Sequence, residues 1–329
     1  MPVSPAHPQP RSPKPLDLFR FMPHAIIVAV QNLLFKNFPR GILAVRGKDR
    51  VSFLHNVVSH DIKGLTSGQA RQACLLDRQG KIQFWALVHA RPEELLLEMA
   101  PEAAAGARTA LERYLISEDV RIEEASARYR VTALHGPAAP DLLLRAGIAP
   151  ISRWDILGMP GFHLPAEASE AEELSGRLLS AGGPLGLVAA GMETFETLRI
   201  EAGAPWPGKE IGPDVILNEL GREDLVSFTK GCYVGQEIVA RIKHRAHPPR
   251  LLTGFRLEGK EAPPVPSEIR QEDQLVGTLT SACFSPALGA VIGLGFLKHG
   301  TPGTGLQVQT PAGAVPAHPA PLPFKAPLA

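Results

Sequence analysis

The segment Lys230-Gly231-Cys232-Tyr233-Val234-Gly235-Gln236-Glu237 sets a thiol between two glycines, behind a lysine and ahead of a polar helix start. Cysteine reacts as its thiolate, and Lys230, Arg241 and the positive end of a helix are the groups that would stabilise that form. The competing reading is a small, buried, apolar cysteine, and composition alone does not separate the two. Gly235 suits a helix cap and Glu237 a first helical turn, and Glu237 with Arg241 has the i,i+4 spacing of an ion pair; these need no function to explain them. Lys230, Arg241, Lys243, Arg245 and Arg250 stand against the single acid Glu237, which describes either an anion clamp or a solvated basic loop.

A second candidate lies in Leu198-Arg199-Ile200-Glu201-Ala202-Gly203, where an acid sits at the end of a helix and the macrodipole disfavours it. A carboxylate can accept the adjacent N–H and NH2 of a 2-amino-4-oxo-pteridine with both oxygens, whereas a salt bridge to Arg199 or a neighbour is the plainer alternative. His244 and His247 near Cys232 make a poor tetrahedral set, so no metal site is expected there. Neither G-x-x-x-x-G-K-[ST] nor a strand-to-helix G-x-G-x-x-G occurs, which argues against nucleotide hydrolysis and dinucleotide binding.

The elements that must position these residues follow from apolar spacing. Residues 41–46 read as a strand entering a helix with Val51, Phe53, Leu54, Val57 and Val58 on one face. Extended runs at 73–76, 82–89 and 94–99, separated by turn-like Arg78-Gln79-Gly80 and Arg91-Pro92, suggest an antiparallel meander that a helix through Ala107, Leu111 and Leu115 covers. Alternation near Val120 and Val131 and helical spacing over 136–149 repeat that mixed layout. Residues 167–179 and 193–200 read as helices, the second stopped by Gly203, Pro205 and Pro207. Beyond Pro248-Pro249 short strands at 251–257, 275–279 and 290–297 predict a small barrel.

At 329 residues the chain exceeds one ordinary core and calls for more than one unit. Apolar residues are 44% and charged residues 20%, with Lys+Arg 34 against Asp+Glu 33, the balance of a globular protein and no global field for nucleic acid. Cys74, Cys232 and Cys283 are too few and too spread for a disulfide framework, which favours a reducing compartment. The apolar run 25–35 is short for a membrane span, and its basic lead-in leaves a signal or transit peptide open. The layout expected is residues 1–38 as a proline-rich disordered lead-in with a short apolar segment, 39–247 as a main domain of two subdomains, 250–311 as the barrel and 312–329 as a proline-rich tail.

The Lys-Gly-Cys-Tyr-x-Gly-Gln-Glu motif at 230–237, with Gly47-Lys48-Asp49 through Phe53-Leu54, Gln79-Gly80-Lys81-Ile82, Leu198 to Gly203, Ser281 and Ser285-Pro286-Ala287-Leu288-Gly289, resembles the folate-binding YgfZ-type proteins, relatives of the aminomethyltransferase of the glycine cleavage system. The resemblance covers nearly the whole body. It implies an α+β, aminomethyltransferase-like fold, with mixed α/β subdomains arranged as a ring and a C-terminal small β-barrel, around tetrahydrofolate or a folate derivative. It further implies a role in assembly or repair of iron–sulfur proteins, with iron–sulfur client or assembly proteins as partners. No direct nucleic acid and no membrane are expected, and the location implied is cytoplasmic, or the mitochondrial matrix in a eukaryote. Glu201, Lys230, Gln236 and Arg241 match positions for binding folate, and Cys232 with Lys230 positions for thiol chemistry. The transferase relatives carry an acid in the strand after Gln79-Gly80, where this chain has Gln83-Phe84-Trp85. Without that carboxylate, aminomethyl transfer is expected to be weak or absent. A folate-dependent one-carbon (aminomethyl) transferase and a non-catalytic interaction module that has lost folate are the alternatives to the maintenance role. His60-Asp61, where relatives read Asn-Asp, and the irregular 216–224 stretch are further departures.

Overall fold

The computed structural model describes residues 32–149 and 151–325. A first sheet of five antiparallel strands has the order β3-β4-β5-β2-β6. Its members are β2 (Gly41–Arg46), β3 (Ala70–Leu76), β4 (Ile82–Ala90), β5 (Glu94–Met99) and β6 (Arg121–Glu124), with α1 (Arg50–Val57) and α2 (Ala104–Glu112) beside them. A second sheet, ordered β8-β7-β1-β9, holds β1 (Asn32–Phe38), β7 (Tyr129–His135), β8 (Gly161–Glu167) and β9 (Leu187–Ala189), with α3 (Ala139–Arg145) and α4 (Ala171–Gly182) packed against it. Helices α5 (Met192–Glu201) and α6 (Gln236–Arg245) connect these to a closed barrel, β10-β13-β12-β11-β14-β15.

The barrel strands are β10 (Arg250–Leu257), β11 (Ser267–Gln271), β12 (Gln274–Ser285), β13 (Ala290–Lys298), β14 (Leu306–Thr310) and β15 (Gly313–Ala320). Closure removes every free edge and lets Phe255, Ile269, Leu279 and Val308 fill the interior. Helix α5 seats Ile200 against Ile292 and Leu294 of the barrel. Gly203, at φ +69°, closes α5, with the Ala204 N–H donating to the Arg199 carbonyl at 2.8 Å.

Two expectations about the ends are corrected. Residues 32–38, assigned to the lead-in, form β1, which lies between β7 and β9. Leu33 and Phe35 enter the central core and Leu34 the core beneath α3 and α4, so both faces are buried and no alternation marks the strand. Residues 313–320, assigned to the tail, form β15, with Val315 and Ala317 packing in the barrel core. Its prolines lack a donor but keep an acceptor: the Pro316 carbonyl takes the Glu258 N–H at 3.1 Å. The expected lead-in over 1–31 and the last four residues lie outside the described part. The helix expected from 167 begins at Ala171, because β8 runs through Glu167.

The two sheets share one core, where Phe35, Phe38, Trp85, Leu87, Trp154 and Phe195 meet. Trp206 packs against it, 6.0 Å from Trp85 and 6.3 Å from Trp154 between ring centroids. No helix among the described residues is long and apolar enough to cross a membrane.

Candidate functional site

Lys230 reaches back to the C-terminal end of α1. Its ammonium donates to the carbonyls of Val58 at 2.6 Å and His60 at 3.4 Å, and to that of His55. Carbonyls at a helix end are the natural partners of a cation. Burial pushes the Lys230 amine down to about 8, and burial with Arg71 nearby takes His60 to about 4. The lysine thus ties the 227–235 loop to the first sheet, and its charge is directed at α1 rather than at the thiol.

Cys232 is exposed on that loop, whereas Cys74 is buried and Cys283 partly so. Burial pushes both of the latter thiols up, Cys283 to about 12. Gly235 (φ +82°) caps α6, and a Cβ there would come within 2.5 Å of the Asp77 carbonyl oxygen, so only glycine fits the turn. Gln236 begins α6 half-buried, and Arg241 is exposed. The basic run is largely spent internally: Lys243 pairs with Glu223 and Arg250 with Glu219, each at 3.0 Å. Glu237 and Arg241 do not form the ion pair their spacing suggests.

Glu201 is buried and held. Ser285 donates its hydroxyl to one carboxylate oxygen, and Lys325 approaches the other at 3.0 Å. Arg199, the partner the sequence offered, turns instead to Glu196, to Glu210 at 3.0 Å and to Ser281. On β4 the ladder slips between Leu75 and Leu76, leaving Gln83 unpaired and exposed, while Phe84 packs on the α1–α2 side. Of the three residues set against the expected acid, only Trp85 enters the shared core. The carboxylate found there is Glu98, with no exposed surface. Arg40 Nε and His89 Nε2 lie 2.9 Å from it and His163 Nδ1 2.5 Å. Burial alone would raise Glu98, but His163, His89 and Arg40 hold its carboxyl well below the usual range.

A cavity of about 730 Å³ opens where the segment before β8, the loop after α5, the 220–224 loop and β10 converge. Trp154 and Leu252 give it apolar walls. Two Arg-x-Asp pairs line it, Arg153 with Asp155 and Arg222 with Asp224, each closing at 2.6 Å. Trp154 is 4% exposed, and its indole N–H has no partner. Ala202 and Gly203 line this cavity, whereas Glu201, Lys230, Cys232, Gln236 and Arg241 do not. Sequence reasoning missed these pairs, although the repeated Arg-x-Asp spacing was available as a signal. Among the described residues no three His, Cys, Asp or Glu side chains converge for a metal ion.

Residues 250–325 match the glycine cleavage T-protein C-terminal barrel domain. The chain is 28% identical over 306 residues to an aminomethyltransferase of Caldanaerobacter subterraneus subsp. tengcongensis, covering 85% of this chain and 81% of that one. It is 28% identical over 297 residues to an aminomethyltransferase of Streptomyces avermitilis, covering 82% and 80%. The solved glycine cleavage system aminomethyltransferase T from Bartonella henselae superposes with a TM-score of 0.80 at 20% identity, over 92% of this chain and 89% of that chain. The fold is therefore the mixed α+β aminomethyltransferase-like fold with a closed six-stranded C-terminal barrel.

Proposed function

We propose that this chain binds a tetrahydrofolate in the 730 Å³ cavity and serves the assembly or repair of iron–sulfur proteins, with Cys232 as its working thiol. The observation that carries the folate reading is the pairing of an aromatic wall, Trp154, with two Arg-x-Asp pairs in a cavity of ligand size. A pteridine offers a flat ring and a two-pronged donor that an aspartate can accept, and a glutamate tail offers carboxylates that an arginine fork can grip. In this reading Glu201 and Lys230 anchor neighbouring segments, while Gln236 and Arg241 border the thiol loop.

Folate-dependent aminomethyl transfer is the second reading, and the names of the relatives favour it. Against it stands the shared core, where Trp85 occupies the inward position of β4 and Glu98 is spent on three donors. Titrating tetrahydrofolate against the pure protein, followed by tryptophan fluorescence, tests the common premise. Binding that weakens about tenfold in Arg222→Ala supports it, and no binding at millimolar ligand removes both readings. Formation of methylene-tetrahydrofolate from an aminomethyl donor would select the transferase. Unchanged iron–sulfur enzyme activities in cells lacking the gene would reject the maintenance role.

A further inference from the structure

After β15 the chain does not leave the body. Pro321 to Lys325 cross from the barrel to the end of α5, where the Phe324 N–H donates to the Glu201 carbonyl at 2.9 Å and Lys325 meets the Glu201 carboxylate at 3.0 Å. Leu322 and Phe324 join the small core formed by Ile200, Ile292 and Leu294. Two glycines make room for this course. A Cβ at Gly203 would lie 2.9 Å from Leu322 Cβ, and one at Gly254 would lie 2.7 Å from Leu322 Cδ2. Leu322 and Pro323 also line the 730 Å³ cavity, as does Trp154 from the segment before β8.

We infer that Pro321–Lys325 is a strap that forms one wall of the ligand cavity, with Leu322 and Pro323 as ligand-contacting residues and Glu201 as the buried anchor that holds them there. The anchor is bivalent, through both the backbone carbonyl and the carboxylate of one residue, so the strap's position is set at its far end while Leu322 faces the cavity. A flat ring bound in this cavity meets the aliphatic surface of Leu322 and Pro323 as well as Trp154, and apolar contacts of this kind give an aromatic ligand most of its buried area. This gives Glu201 a reason to sit at the helix end despite the macrodipole: it receives Lys325 and Ser285. The identity of the ligand rests on the folate reading, but the wall does not.

The test compares the full chain, Leu322→Ala and a chain ended at Ala320. Each is titrated with tetrahydrofolate by tryptophan fluorescence, and amide hydrogen exchange is read by mass spectrometry with and without ligand. Leu322→Ala keeps the anchor and so remains a fair judge even where the shortened chain folds poorly. The expected result is binding weakened about threefold by Leu322→Ala and about tenfold by removal of the strap, with bound ligand slowing exchange at 322–324 in the full chain. Equal affinities together with unchanged strap exchange overturn the inference. Should the full chain bind no tetrahydrofolate, the folate reading fails, and the wall is judged with 8-anilinonaphthalene-1-sulfonate as the probe. Dye fluorescence altered severalfold by removing the strap upholds it, and unaltered fluorescence overturns it.

Discussion

Glu98 Oε1 and His163 Nδ1 lie 2.5 Å apart, one from each sheet, with neither side chain exposed. The contact joins β5 to β8 across the shared core, and Arg40 and His89 complete the carboxylate's partners. Charges buried in this way are stable only as a set.

The set makes the fold acid-sensitive. Burial holds His135 and His163 below their ordinary 6.5, so as pH falls through that value the unfolded chain takes up protons that the folded chain refuses. Glu98, held well below 4.5, adds a stabilisation present above that pH and lost beneath it. Both effects lower stability on acidification, so the urea midpoint should drop steadily from pH 7.5 to pH 4. Glu98→Ala, which leaves Arg40 buried without its partner, should cost about 3–5 kcal/mol at pH 7.5. A midpoint independent of pH would contradict this account.

His135 is the weakest member of that interior. It has no exposed surface, both ring nitrogens lack a partner, and its ring meets Phe35 edge-on at 5.9 Å. An imidazole buried without hydrogen bonds costs more than the apolar group it displaces. His135→Leu should therefore raise stability by about 1 kcal/mol in urea unfolding and shallow the acid slope. A loss of stability would show that packing against Phe35 outweighs the unpaired nitrogens.

Lys230 sets a second pH window, higher on the scale and of the same sign. Its folded value of about 8 lies under the ordinary 10.5 because the amine is half-buried, so between those values the unfolded chain holds the extra proton. Stability contributed at this position rises as pH goes from about 8 to about 10.5, and Lys230→Met should lose that rise. At pH 7 the same variant leaves the carbonyls of Val58 and His60 without their donor. Hydrogen exchange should then quicken in the 227–235 loop. Parallel pH profiles for the two proteins would dismiss the assignment.

The body was legible where apolar runs are bounded by glycine, proline and other turn residues. Helix α5 and its stop at Gly203, the meander of β3 to β5 and the barrel strands β10 and β13 fall where spacing placed them. Strand β1, buried on both faces, was hidden inside the longer apolar run 25–35, where no glycine or proline marks its start, and β15 because proline count outweighed the pairing its carbonyls and apolar residues still make. At the site, local sequence marked Gly235 as a helix start, which α6 bears out, but left Cys232 open between a buried and an exposed thiol. It could not show that Lys230 turns to α1, since His55, Val58 and His60 lie about 170 positions earlier. Glu201 shows the same limit, because its partner Lys325 arrives from the far end of the chain.

Cys232 should be the fast thiol of the native protein. It alone among the three cysteines is exposed, while burial shields Cys74 and Cys283 and pushes their thiols upward, away from the reactive thiolate. Titration with an aromatic disulfide at pH 7.5 should therefore show one rapid equivalent per chain, with the remaining two released only on unfolding. Cys232→Ser should abolish the rapid phase and shift stability by no more than about 0.5 kcal/mol, since the side chain is exposed and packs little. If Cys232 is the working thiol, the same variant should fail to restore iron–sulfur enzyme activities in cells lacking the gene. Full restoration by a stably folded Cys232→Ser protein would remove the thiol from the mechanism.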